Sequence, residues 1–253
     1  NPNQILHSLK KTLNQRILIS EKASDQYQKD FKKLSLDILS ASSFLNWVEL
    51  YKKFIYWKIE LMELENNSML NILENQLKEA NLVFGKFIKE NYLSWINSKD
   101  NSPTLSHNVF KNKIIPHLKK NSPTLLILID NLRFDQWKII EPLVSKYYNV
   151  QQEDLYCSIL PTTTQYSRNS FFAGLTPNEI KNKFPDLWID DVHKGNKNKH
   201  EKELLSKHLE KLNIKAESKY YKITSLTDAK RMVINLLELK KNTLKTIAYN
   251  FVD

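Results

Sequence analysis

The stretch LLILID at residues 125–130 places an aspartate directly after five consecutive aliphatic residues. A second stretch, IAYNFVD at residues 247–253, also ends in an aspartate. Near-continuous apolar runs of this length are typical of strands that are buried on both faces, as in a parallel sheet covered by helices. A third run, at residues 155–160, leads into Pro161 and three threonines, and we interpret it as another such strand.

Open α/β sheets bind their ligands outside the carboxyl ends of the strands. If the three runs belong to one parallel sheet, Asp130, Thr164 and Asp253 are expected to meet at one of its edges. Carboxylates placed together raise one another's pKa unless a cation or a proton lies between them. The sequence therefore predicts a metal-assisted hydrolytic site at this edge.

The two halves of the chain have different patterns. Residues 4–96 have helical spacing, and polar breaks near 19–22, 40–43 and 65–68 predict four helices packed as an antiparallel bundle. The polar stretch NSKDNSPT at 97–104 is a candidate domain boundary. From there on, strand-like and helical segments alternate, which predicts βαβ units.

We therefore expect a helical bundle over residues 1–100 that serves as a linker or dimerisation domain. Residues 105–253 are expected to form a mainly parallel α/β sheet that is incomplete at Asp253, because the last predicted strand ends there.

Composition indicates that the chain is neither a membrane-spanning protein nor one held by internal disulfides. The 253 residues contain no apolar stretch long enough to span a membrane. The single cysteine, Cys157, excludes an intrachain disulfide, fits a reducing, cytoplasmic environment, and lies in an apolar run that predicts burial.

The net charge of +10 is concentrated in the second half. Residues 1–100 contain 14 basic and 12 acidic side chains, and residues 101–253 contain 24 and 16. This excess favours a phosphate-bearing substrate or nucleic acid. A compositional bias of the genome is an equally good explanation for the abundance of lysine.

Each candidate residue has a structural alternative. Asp130 suits a hard divalent cation, but it could equally cap the next helix. Thr164 lies where a helix N-terminus would stabilise an oxyanion, although threonine is also a common helix cap. Three partners are open for Arg133, namely Asp130, Asp135 and a phosphate group of the substrate. Arg168 is a second candidate for binding the phosphate.

The motifs together resemble a known family. Asp130 after an apolar strand, Pro161 three residues before Thr164, and Gly174 ten residues after it are similar to the alkaline-phosphatase superfamily. The resemblance implies that Asp130 and Thr164 bind one metal, with Thr164 as the nucleophile. It also implies that Asp253 binds a second metal together with a histidine four residues further on.

A closer resemblance is to PglZ-domain response regulators of the PorX type, and it covers essentially the whole chain. The stretches that carry it are SLKKTLNQRILISEKASDQYQKDF (8–31), WVELYKKFIYWKIELMEL (47–64), FGKFIKENYLSW (84–95), IDNLRFDQWK (129–138), YCSILPTTTQYSRNSFFAGL (156–175) and YNFVD (249–253).

This resemblance implies a two-component regulator of type IX secretion whose PglZ domain uses two zinc ions to hydrolyse phosphodiester bonds in cyclic or linear oligonucleotides. It also implies a sensor kinase and a transcription factor as partners, and a homodimer is a further expectation. A receiver domain before Asn1 and later metal ligands after Asp253 are not in this sequence. The chain is thus expected to be either a piece of a longer protein or the product of a truncated gene.

Two other functions remain open. In one, the PglZ part is a scaffold without catalysis that binds a transcription factor. In the other, the chain is a helical dimerisation fragment with no independent role.

Overall fold

The computed structural model describes residues 2–98, 102–118, 123–192, 195–236 and 243–250. The contacts divide the chain into two compact units. The first contains Asn1–Lys99 together with Arg133–Glu153, and the second contains Asp100–Leu132 and Asp154–Asp253. Within the described ranges, none of the helices combines the length and the apolar character needed to cross a lipid bilayer.

The described elements follow one another in chain order, with a π-helical turn and a 3-10 turn among the helices. They are α1 (Pro2–Ser40), α2 (Phe44–Glu63), α3 (Asn67–Asn97), α4 (Ser106–Val109), the π turn (Phe110–Ile114), α5 (Ile115–Leu118), β1 (Thr124–Ile129), α6 (Phe134–Val144), α7 (Thr164–Ala173), α8 (Pro177–Lys183), the 3-10 turn (Pro185–Leu187), α9 (Glu201–Lys211), β2 (Glu217–Ile223), α10 (Leu226–Leu236) and β3 (Thr243–Tyr249).

The first unit is a bundle of long helices. Helix α2 begins at a capping box, in which the Ser43 side chain accepts from the Asn46 backbone N–H. Its apolar face is rich in aromatic residues, and Trp47 contacts Phe84 and Phe87 of α3 with ring centroids 5.1 and 6.0 Å apart. Burial of such large rings dominates the energetics of a core.

The predicted break at 19–22 is wrong, because α1 continues through it. This stretch contains no glycine or proline, and the Ser24 hydroxyl donates to the carbonyl of Ser20 at 2.9 Å. The polar side chain therefore bonds within the helix, as serine often does, instead of ending it.

Helix α6 also belongs to the first unit. Lys58 of α2 donates to the Asp135 carboxylate at 2.8 Å, and the rings of Tyr51 and Phe134 lie 5.9 Å apart. An ion pair and a ring contact thus join α6 to the long helix α2.

The second unit is built on a parallel sheet of the described strands in the order β1-β3-β2. Its two faces are covered by separate apolar clusters. One contains Leu126, Leu244 and Ala248 with residues of α7 and α9, and the other contains Ile247 with Met232 of α10. The predicted fold class, a helical region followed by a small parallel α/β sheet, is confirmed.

The strand predicted at 155–160 does not join this sheet. Cys157 forms an isolated bridge with Leu105, its backbone N–H donates to the carbonyl of Thr104 at 3.0 Å, and the N–H of Ile159 donates to the Ser106 hydroxyl at 3.0 Å. The segment runs beside residues 104–106, which satisfy its backbone donors in place of a sheet neighbour.

Candidate active site

The carboxyl ends of the three described strands meet at one edge. Ile129 of β1 and Ile223 of β2 both pair with Tyr249 of β3. The next residues continue this row, because the N–H of Asp130 donates to the carbonyl of Tyr249 and the N–H of Asn250 donates to that of Ile223, each at 2.9 Å. Asp130 and Asn250 therefore leave adjacent strands side by side.

The chain turns sharply after Asp130. Asn131 has a φ of +58°, a left-handed conformation that asparagine tolerates better than most residues because its short side chain bonds locally. This turn leaves Asp130 at the rim of the sheet, with its side chain 11% exposed.

Thr164 is the first residue of α7. The capping position belongs to Thr163, whose side chain makes no cap hydrogen bond, so Thr164 is not the cap of this helix. Thr164 is half-buried, and the Asn198 side chain donates to its carbonyl at 3.2 Å. Its hydroxyl belongs to the first helical turn, where the helix dipole favours negative charge.

Arg168 connects α7 to the strand ends. It is four residues after Thr164 and so lies on the same side of the helix. Its Nη1 donates to Asp130 Oδ2 at 2.9 Å and to Asn250 Oδ1 at 2.8 Å, and its Nη2 donates to Glu201 Oε2 at 2.7 Å. One guanidinium therefore joins α7, α9 and the exits of β1 and β3.

A buried polar network surrounds this arginine. Glu201 is 1% exposed and also accepts from the hydroxyl of Tyr220 at 2.7 Å and from Lys222 at 3.4 Å. Burial opposes the charge on Arg168, but the carboxylates of Glu201 and Asp130 outweigh it and raise the pKa of the guanidinium. Burial and then the charge of Glu201 raise the pKa of Tyr220, so its hydroxyl stays protonated as a donor.

Arg133, the other candidate for a phosphate, has a different environment. Its side chain is 61% exposed, and its Nε donates to Asp135 at 3.0 Å. Of the alternatives that the sequence left open for Arg133, the structure shows the ion pair with Asp135.

Two family models match the chain. The model of the PorX response regulator linker domain matches residues 17–96, and that of the BREX system PglZ alkaline phosphatase-like domain matches residues 109–253. The chain belongs to the PglZ alkaline phosphatase-like family. Together the two matches confirm the resemblance to PorX-type, PglZ-containing regulators. None of the curated proteins compared with the chain matches it.

The Asp130 carboxylate and the Thr164 hydroxyl are of the chemical type that fits a divalent cation, because both are hard oxygen ligands. Within the described ranges, no three His, Cys, Asp or Glu side chains are grouped so that they could hold a metal ion. Asp253, predicted as a ligand of the second metal, lies outside the described residues. The roles of Asp130 and Thr164 as metal ligands stay predictions.

Sequence reasoning missed both acceptors that Arg168 binds besides Asp130, namely Glu201 and Asn250, and the donors Tyr220 and Lys222 behind Glu201. Asn250 lies inside a quoted stretch, three residues before the predicted ligand Asp253, and its place at a strand end was the available signal. Glu201 lies in a polar segment and gave no such signal.

Proposed function

We propose that this chain contains part of the catalytic domain of a metal-dependent phosphodiesterase that acts on cyclic or linear oligonucleotides. The observation that carries the proposal is the ion pair between Asp130 and Arg168, because it joins a strand-end carboxylate to the helix that begins at Thr164. Membership of an alkaline phosphatase-like family supports hydrolysis as the class of reaction.

In this mechanism Thr164 is the nucleophile. Its Oγ forms a bond to the phosphorus, the bond from phosphorus to the departing nucleotide oxygen breaks, and the hydroxyl proton passes to water. Asp130 and Thr164 would hold one zinc ion, and Asp253 would help to hold a second. Bound there, zinc lowers the pKa of a coordinated hydroxyl and offsets the charge on the phosphate oxygens. The positive end of the α7 dipole, where Thr164 lies, would also stabilise this negative charge. Water then cleaves the phosphothreonine and regenerates Thr164.

We further propose that the protein is a cytoplasmic, homodimeric two-component regulator of type IX secretion. A sensor kinase would supply its input, and a transcription factor would receive its output. The match to the PorX linker domain supports this assignment.

The hydrolase proposal is tested by Thr164→Ala. The full protein is incubated with zinc and either a cyclic dinucleotide or a linear trinucleotide, and the products are separated by chromatography. We expect kcat to fall more than about 100-fold, because the nucleophile is lost, while circular dichroism stays unchanged. Thr163→Ala is the matched control, since that exposed neighbour makes no cap hydrogen bond, and it should keep wild-type hydrolysis.

Wild-type hydrolysis by Thr164→Ala would overturn the assignment of the nucleophile and, with it, the proposed mechanism.

A second candidate, a non-catalytic scaffold, is favoured by one observation. Asp130 already pairs with an arginine, which partly neutralises the charge that a cation needs. The scaffold proposal expects no oligonucleotide hydrolysis by the wild-type protein, and equal binding of the transcription factor by the wild type and by Thr164→Ala.

A further inference from the structure

We propose that Arg168 is a positioning residue of this site: it holds the Asp130 carboxylate at the strand end and ties it to the helix of the nucleophile. Glu201 completes the arrangement by holding Arg168 in place. The inference rests on the proposed function and adds two residues to it.

The geometry favours a different role for Arg168 from the phosphate binding that the sequence predicted. Its side chain is 4% exposed, and Nη1 and Nη2 are already directed at Asp130, Asn250 and Glu201. An arginine that binds a phosphate presents its fork of donors to an open site. In this structure the fork faces protein carboxylates, so Arg168 acts on the reaction through Asp130.

The charges of the network explain why Glu201 is needed. A lone arginine beside Asp130 would neutralise the carboxylate and weaken its attraction for a cation. Glu201 is a second carboxylate beside Arg168, and Nη2 donates to it at 2.7 Å. The positive charge of the guanidinium is therefore shared between Asp130 and Glu201. Lys222 and Tyr220 donate to the same oxygen of Glu201 and keep this buried carboxylate in place. Asp130 is therefore held in position and keeps part of its negative charge.

One feature of Arg168 is unfavourable for stability. Within the described part of the chain its Nε is buried without a hydrogen-bond partner, and a buried unsatisfied donor costs about 1–3 kcal/mol. A hydrophobic side chain at this helix position would remove that donor but would leave the carboxylates of Asp130 and Glu201 without their arginine partner. The other two guanidinium nitrogens bind three acceptors on different elements, which fits a role in positioning.

The kinetic test uses Arg168→Lys in the full protein, with Arg16→Lys as the matched control because residue 16 is exposed on α1. Lysine keeps the charge but cannot reach acceptors on three elements. We expect kcat per folded molecule to fall about 10- to 100-fold while KM changes less than about threefold, since the substrate is not contacted. Guanidinium ion should restore part of the activity of Arg168→Ala but not that of Thr164→Ala.

Glu201→Gln tests the second half of the inference against Glu203→Gln, an exposed position on the same helix. We expect kcat to fall about tenfold for the first, because Glu201 accepts from Arg168, and to stay at the wild-type value for the exposed Glu203.

A readout that needs no activity is the double-mutant cycle of Asp130→Asn and Arg168→Met in urea unfolding. Coupled residues should lose less stability together than the sum of the single variants.

The inference is overturned if folded Arg168→Lys turns over at the wild-type kcat, or if the cycle shows no coupling. If instead Thr164→Ala hydrolyses at the wild-type rate, the proposed nucleophile fails, and the cycle alone still tests the link between Arg168 and Asp130.

Discussion

Asp135 shows how a single buried carboxylate stays ionised. Burial opposes its charge, but hydrogen bonds from Lys58 and Arg133 outweigh burial and hold the pKa of Asp135 at about 2. Because this pKa lies below the ordinary value of 3.8, the contribution of Asp135 to stability is complete above pH 3.8 and is lost as the pH falls toward 2.

Lys58→Met should therefore destabilise the first unit by about 1 kcal/mol at pH 7, since Lys58 is partly exposed and water screens the pair. The difference from the wild type should shrink as the pH falls toward 2, because Asp135 of the wild type becomes protonated in that range. Urea unfolding at the two pH values measures it. Lys52→Met, which removes the partner of the exposed Glu49, should have almost no effect, and an equal loss from both variants would contradict the prediction.

Some of the site could be predicted at this scale, and some could not. A strand-end aspartate is visible in a sequence, because an apolar run ends at it, and Asp130 was found in that way. The roles of Asp130 as a ligand and Thr164 as the nucleophile stay predictions. Glu201 could not be found, because the spacing of charged residues around it does not distinguish it from Glu203. Its burial depends on Arg168, which lies 33 residues away in the chain.

At the scale of elements, local sequence patterns predicted the bounds of several helices and strands. The sequence predicts a strand at 124–129 and helices at 165–173 and 177–184, and β1, α7 and α8 agree with these bounds within one residue. Apolar runs, caps and Gly174 act over a few residues, so they are visible in the sequence. The segment 155–160 has the composition of a strand but bonds to residues 104–106. The sequence of the segment itself does not indicate which distant residues its backbone bonds to.

The end of α7 gives a prediction about an element. Gly174 has a φ of +60°, and a Cβ added there would lie 2.1 Å from Nε2 of the buried His208. Gly174→Ala should destabilise the second unit by about 2–4 kcal/mol, through the left-handed backbone and the collision with the imidazole. In a His208→Ala background the collision is absent, so the added loss should shrink to about 1 kcal/mol.

Gly85 provides the control for urea unfolding. It lies in α3 with open space around it, so Gly85→Ala should stabilise the first unit by about 0.5–1 kcal/mol. A Gly174→Ala protein as stable as the wild type would show that the backbone of α7 ends differently from the one described here.

For the whole molecule, the two compact units respond to acid over different pH ranges. In the first unit the shift of Asp135 acts below pH 4. In the second, burial lowers the pKa of His208 from 6.5 to about 4, and burial also lowers that of His107. Both histidines are kept neutral by the fold, so protonation of the unfolded chain removes stability as the pH falls below 6.5.

We therefore predict that the second unit unfolds first on acidification. For His208, whose Nδ1–H donates to the carbonyl of Phe172 at 3.0 Å, the loss between pH 7 and pH 5 is about 2 kcal/mol and increases until pH 4. Hydrogen-exchange mass spectrometry across a urea series should show the midpoint for α9 peptides falling between pH 7 and pH 5, while that for α2 peptides stays nearly constant. His208→Asn keeps a donor for Phe172 but does not titrate, so most of this dependence should vanish in that variant. If the α9 peptides of His208→Asn respond to pH as those of the wild type do, a different group causes the effect. The burial of a neutral His208 then does not limit the acid stability of the second unit, which contains the candidate site.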